Sequence, residues 1–235
     1  ALARSTLILL LVGALALWNR TPLVWFRPAR LWLRSLSGSI SLIGTFFAYM
    51  HLPVSNVLTL TNLFPIWVAV LSWWVTGTAP TPRVWLAILC AIGGIFLLQK
   101  PELEGGKLAF WVAIGGSFFS AVAMIGLHRL HDVNPKAVVV HFSTVSILFV
   151  LLAFVLFPRT GKESSLGDPT TWLELLGVGV SASVGQLLLT KAFAAGDPAN
   201  VSVVGLTSVV FALLMVVTFG RHAVDGRTLL GMPLI

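Results

Sequence analysis

Charge is what this sequence has least of. Of its 235 residues only 10% are Asp, Glu, Lys or Arg, against 57% hydrophobic, and the mean hydropathy is +0.96. Soluble domains carry about 25% charged residues, so a water-soluble fold is excluded. Acids are the scarcer sign, eight against fifteen Lys and Arg. Asp132, Asp168, Asp197, Asp225, Glu102, Glu104 and Glu163 fall between apolar runs, and Glu174 falls near the end of one. No pair of carboxylates is therefore placed inside a run for acid–base chemistry or a buried proton relay. The single cysteine, Cys90, lies within an apolar run, where it reads as a small packing residue. One thiol builds neither a disulfide framework nor a cysteine metal site. HExxH, GxSxG and Walker patterns are also missing. Catalytic residues, metal ligands and cofactors are accordingly not expected.

What remains is a series of long apolar runs. Complete membrane spans are expected at about 5–19, 35–52, 54–76, 84–99, 108–128, 137–157, 172–194 and 199–219, with a stub at 228–235. Runs of this length without strict alternation are helices; barrel strands would be about ten residues long and alternate. Lipid bilayer is thus the expected surround. The net charge of +7 sits in the segments between runs, where it sets orientation and not nucleic-acid binding. The densest basic segment, NRTPLVWFRPARLWLR, holds Arg20, Arg27, Arg30 and Arg34 and is read as a cytoplasmic loop. Alternation then puts Arg83 and the Arg129–Lys136 segment on that same side. Trp18, Trp25, Trp32, Trp73, Trp74, Trp85, Trp111 and Trp172 lie near span ends, as an interfacial belt requires, whereas Trp67 lies deeper. His51, at a turn, and His141, opening a run, also read as interfacial.

The stretch Thr45–Thr78 reads as a helix end, a Pro-marked turn and a second helix, and it returns in outline at Leu189–Arg221. Phe47-Ala48 matches Phe193-Ala194, Pro53 matches Pro198, and Gly77 matches Gly220, with small gaps. Pro53 and Pro198 open helices, where a missing N–H costs nothing. Pro65 lies inside the 54–76 run, so that helix should bend and free a carbonyl there. Gly93-Gly94 and Gly115-Gly116-Ser117 read as close helix contacts.

Polar residues recur on single helical faces within the runs: Ser55, Thr59 and Asn62; Ser41, Thr45 and Tyr49; Ser117, Ser120, Met124 and His128; Ser183, Gln186 and Thr190. Asn200, Val204 and Thr207 are the repeat counterparts of the first set. In a membrane such groups need a helix partner or a water-filled cavity.

The patterns LPVSNVLTLTNLFPIWVAVL and WLAILCAIGGIFLLQKP resemble the EamA repeat of the drug/metabolite transporter superfamily. GQLLLTKAFAAGDPANVSVVGLTSVVFALL with RTLLGMPLI is similar to its second repeat, and LLLTKAF and VVVHFSTVS point to a bacterial and solute-carrier 35 G-like branch. The resemblance implies an all-α polytopic membrane protein with two inverted repeats of five helices, ten in the family. Here that gives eight complete spans plus a C-terminal stub, with residues 1–100 as the first repeat and 101–235 as the second. The first helix and most of the tenth are absent from that scheme, and the glutamates that commonly follow Gly77 and Gly220 are replaced by Thr78 and Arg221.

It further implies a secondary transporter, an exporter or exchanger of a small organic metabolite, working by alternating access in a bacterial inner membrane. The expected lining is Tyr49, Ser55, Thr59, Asn62 and Trp67, with Ser120, Gln186, Asn200, Thr207 and Phe211 opposite. His128 is the candidate for proton linkage because an unperturbed imidazole titrates near pH 6.5. The expected partners are a small-molecule substrate and a second copy of the chain as a homodimer. A non-transporting membrane protein or degenerate remnant is the alternative, ahead of an intramembrane enzyme.

Overall fold

In the computed structural model, residues 2–26, 28–77, 79–99, 106–156 and 169–219 are described. Among them there is no strand. The helices are α1 (Leu2–Trp18), α2 (Ala29–His51), α3 (Val54–Thr61), α4 (Phe64–Thr76), α5 (Pro82–Gln99), α6 (Lys107–His128), α7 (Pro135–Leu156), α8 (Pro169–Ala195) and α9 (Pro198–Phe219). The stub at 228–235 and the loops carrying Lys100, Arg159 and Lys162 lie outside the described residues.

The apolar surface faces outward as well as inward. Val54–Val75, Lys107–His128, Pro135–Val155 and Thr170–Ala195 are long and apolar enough to cross a bilayer, and α1, α5 and α9 are shorter apolar helices. Trp18, Trp74 and Trp111 stand exposed near helix ends, and Leu148, Leu151, Leu152, Phe154 and Val155 form an exposed apolar face on α7. Such faces suit lipid tails, not water.

Local signals set the helix ends. Arg20 takes a left-handed φ of 48° after α1, and the Thr21 N–H reaches back to the Ala16 carbonyl at 2.8 Å, closing the helix with a Schellman turn. Gly77, at φ 71°, ends α4 in the same conformation. Pro53 precedes α3, and Pro198 is the first residue of α9. The 54–76 span is divided at Asn62–Leu63, three residues before Pro65, which sits in the first turn of α4. Proline cannot donate to the carbonyl one turn earlier, so the interruption falls upstream of the ring.

α2 lies between α6 and α7. It runs antiparallel to α6 and parallel to α7, and α1 packs on α7 and α8. Small residues let α2 and α6 approach. A Cβ on Gly116 would touch the Ser41 carbonyl at 3.6 Å, and one on Gly44 the Val112 carbonyl at 3.4 Å. Leu31, Val68, Ala121, Ile125, Leu127, Val138 and Phe193 close one core from α2, α4, α6, α7 and α8.

Candidate substrate site

Two expectations about basic and imidazole side chains are overturned. α2 begins at Ala29, six residues earlier than the apolar run suggests, so Arg30 and Arg34 belong to the helix and not to the loop. Arg34 is only 2% exposed. His141, read as interfacial, is also 2% exposed, because α7 starts at Pro135 and the segment around Trp25 folds over it.

The inward face of α2 carries Arg34, Ser35, Ser37, Ser39 and Ser41, all buried. This face keeps α2 out of the strongly apolar set although it is 23 residues long. Ser37 donates to the Leu33 carbonyl within α2, and the other serines are paired across the seam. Ser39 Oγ meets Ser146 Oγ at 3.0 Å on α7, and Ser41 Oγ meets Ser120 Oγ at 2.6 Å on α6. His141 Nε2 lies 3.1 Å from the Trp25 carbonyl, an acceptor only, so Nε2 carries the proton. The neutral ring then accepts from the Ser35 hydroxyl at Nδ1, 2.8 Å away. Trp32 packs edge-on at 4.8 Å. Both ring nitrogens are committed, and His141 ties α2, α7 and the α1–α2 loop together.

Arg34 is held differently. Its guanidinium lies 4.2 Å from the Phe142 ring centroid, a cation–π distance. Nη2 donates to Gln186 Oε1 on α8 at 3.4 Å, a long bond, and the buried Nε has no partner. Gly38 leaves the space that Nη1 and Phe142 occupy, and Gly126 lets α6 pass against the Arg34 backbone.

Of the expected lining, Trp67, Ser120 and Gln186 reach this seam. Trp67 Nε1 donates to Ser117 Oγ at 3.1 Å and its ring meets Phe118 edge-on. Thr59 is buried and donates to the Ser55 carbonyl at 2.8 Å, and Asn62 Nδ2 donates to the Leu58 carbonyl at 2.8 Å, capping α3 at the break. Thr207 Oγ1 donates to the Val204 carbonyl at 2.7 Å. Tyr49 lies fifteen residues along α2 from Arg34, roughly 22 Å away at 1.5 Å per residue. Phe211 is 64% exposed. Asn200 lines a cavity of about 120 Å³ with Ser72, Pro80, Thr81 and Asp197 at the end where α4, α5 and α9 meet. Small-molecule sites run to roughly 300–1,000 Å³, so that cavity admits little beyond water. His128 Nδ1 lies 3.2 Å from the Phe193 carbonyl at the far end of α8. No cluster of three or more His, Cys, Asp or Glu able to hold a metal occurs among the described residues.

A helical bundle with an apolar exterior and a hydrogen-bonded polar seam is a layout that suits a membrane protein. The sequence pattern of the EamA-like transporter family matches residues 1–99 and 107–235. The chain belongs to that family. EamA-like relatives include the Pseudopaline exporter CntI of Pseudomonas aeruginosa, 24% identical over 86% of this chain and 70% of the relative. An uncharacterized transporter of Helicobacter pylori is 23% identical over 88% of this chain and 70% of the relative. A solved crystal structure superposes with a TM-score of 0.84 over 99% of this chain and 84% of its own, at 17% identity, which establishes the shared fold. The EamA-like chain is thus a membrane transporter by family, with helices able to span a bilayer.

Proposed function

We propose that this EamA-like protein is a secondary transporter that moves a small organic solute by alternating access, as an exporter or exchanger. The observation that carries the reading is the closed polar seam between α2, α6, α7 and α8, where hydroxyls, an amide, an imidazole and a guanidinium are enclosed by apolar helices. Hydroxyl pairs of this kind also hold helices together, and it is the buried guanidinium with its amide partner that favours a solute path. Residues 1–100 and 101–235 are read as two inverted repeats that rock about the seam. Their interleaving supports this: α1 packs on α8 and α2 on α7, contacts that exchange when the halves are swapped. The name of the Pseudomonas relative supports export.

The lining comprises Ser55, Thr59, Asn62, Trp67, Ser120 and Gln186, extended when the halves part to Tyr49, Asn200, Thr207 and Phe211. His128 carries the proton linkage, and its substitution by Ala abolishes dependence of transport on a pH gradient. A bacterial inner membrane is the proposed location, the end bearing Arg30 and Arg129 faces the cytoplasm, and a homodimer is the proposed assembly. Counterflow into proteoliposomes, with a pooled panel of labelled metabolites, tests the function. Accumulation above that of empty liposomes is expected. Its absence for every compound, from folded protein, would favour a non-transporting membrane protein.

A further inference from the structure

Arg34 is the one Arg, Lys, Asp or Glu side chain that is buried among the described residues. A guanidinium removed from water is strongly disfavoured unless an anion compensates it. None of the described acids does. Asp132 is at the surface, paired with Arg30 at 3.2 Å. Asp197 is exposed and accepts from the Asn200 N–H. Glu174 is exposed and twelve residues from Gln186 on α8, roughly 18 Å along the helix. What Arg34 has instead is a ring face, one long bond to a neutral amide, and an Nε–H with no acceptor.

The unpaired donor lies beside the weakly paired one, since Nε–H has no acceptor and Nη2 makes only the long bond to Gln186. Nε–H and the neighbouring Nη2–H form one edge of the planar fork, spaced to meet both oxygens of a carboxylate. Gln186, whose Oε1 lies 3.4 Å from Nη2, offers a carbonyl that can withdraw and an NH₂ that can donate to the same anion. We propose that this edge, with Gln186 beside it, receives the carboxylate of the solute, so that the transported compounds are monocarboxylates that carry no ammonium group of their own. The single buried cation balances a single negative charge, and a phosphate dianion would bring one charge too many. The proposal rests on the transporter reading for the word solute, but the anion site itself is testable without transport.

The test uses the full-length protein in detergent and in phosphatidylcholine liposomes, whose lipid supplies no net charge. The probes are monocarboxylates, the amide or methyl ester of each, and inorganic phosphate. Thermal unfolding reports binding and counterflow reports transport. A carboxylate at saturating concentration raises the melting temperature by roughly 5 °C, and its amide leaves it unchanged. Arg34→Gln removes the shift and weakens binding about 10- to 100-fold, and Arg34→Lys, a charge without a fork, falls between. Equal effects of acid and amide, a response to phosphate alone, or no shift with any probe overturns the proposal. A carboxylate shift without counterflow keeps the Arg34 site and overturns the transporter reading instead. Should Arg34→Gln fail to fold, the comparison of acid with amide on the unaltered protein decides.

Discussion

At Gly38 a methyl group would run into the Arg34 guanidinium and lie 2.8 Å from Phe142. Gly38→Ala is therefore expected to destabilise the protein by about 1–3 kcal/mol, the usual range for overpacking. Gly13→Ala, with nothing within 4 Å of the added carbon, is the matched control in the same thermal melts. The opposite sign is expected at Arg20, whose left-handed backbone suits glycine: Arg20→Gly should raise stability by up to about 1 kcal/mol. His141→Phe leaves the Trp25 carbonyl and the Ser35 hydroxyl without their partner and should cost about 2–3 kcal/mol, read by denaturation in detergent. Sequence reasoning named Gln186 and missed Arg34. An arginine beside three others at the edge of an apolar run carries the signature of an orienting loop. The distinguishing fact, an amide 152 residues away, is a tertiary contact with no local trace. Ser37 and Ser41, three and seven residues on from Arg34 and so on its helical face, were the available signal.

Among elements, the apolar runs were legible because run length is a direct consequence of bilayer thickness. Only α2 shifted appreciably, its first turn being written in Arg and Trp residues that read as loop until partners cover them. The division of the 54–76 span was legible from Pro65, though its place at Asn62–Leu63 follows from where proline removes a donor. Pro65→Ala restores that donor. It is expected to slow amide exchange around Leu63–Trp67, leave the melting temperature unchanged or higher, and lower the counterflow rate several-fold. Unaltered exchange would show that Asn62, and not Pro65, holds the break.

For the whole molecule, the contact of Arg30 with the Arg129 carbonyl and with Asp132 puts two loops at one end of the bundle, as the charge pattern required. In a Cys90→Ser background, Thr21→Cys, Arg83→Cys and His131→Cys should all react with an impermeant maleimide from one side, and Gly106→Cys from the other. A reversed Gly106 result would invalidate the helix alternation. The Arg30–Asp132 pair itself is exposed, and Asp132→Asn should change stability by less than about 1 kcal/mol.

The polarity of α2 also bears on how the chain enters the bilayer. During synthesis α2 emerges before the two helices that shield its serines and Arg34, and an uncovered arginine costs up to about 3 kcal/mol in a lone inserted helix. At about 5–20 residues per second, the interval from His51 to Leu156 lasts roughly 5–21 s. During that time α2 is better held at the bilayer edge or by the insertion machinery than released into lipid. Nascent chains halted after His51 should therefore leave α2 extractable at alkaline pH, and chains halted after Leu156 should retain it.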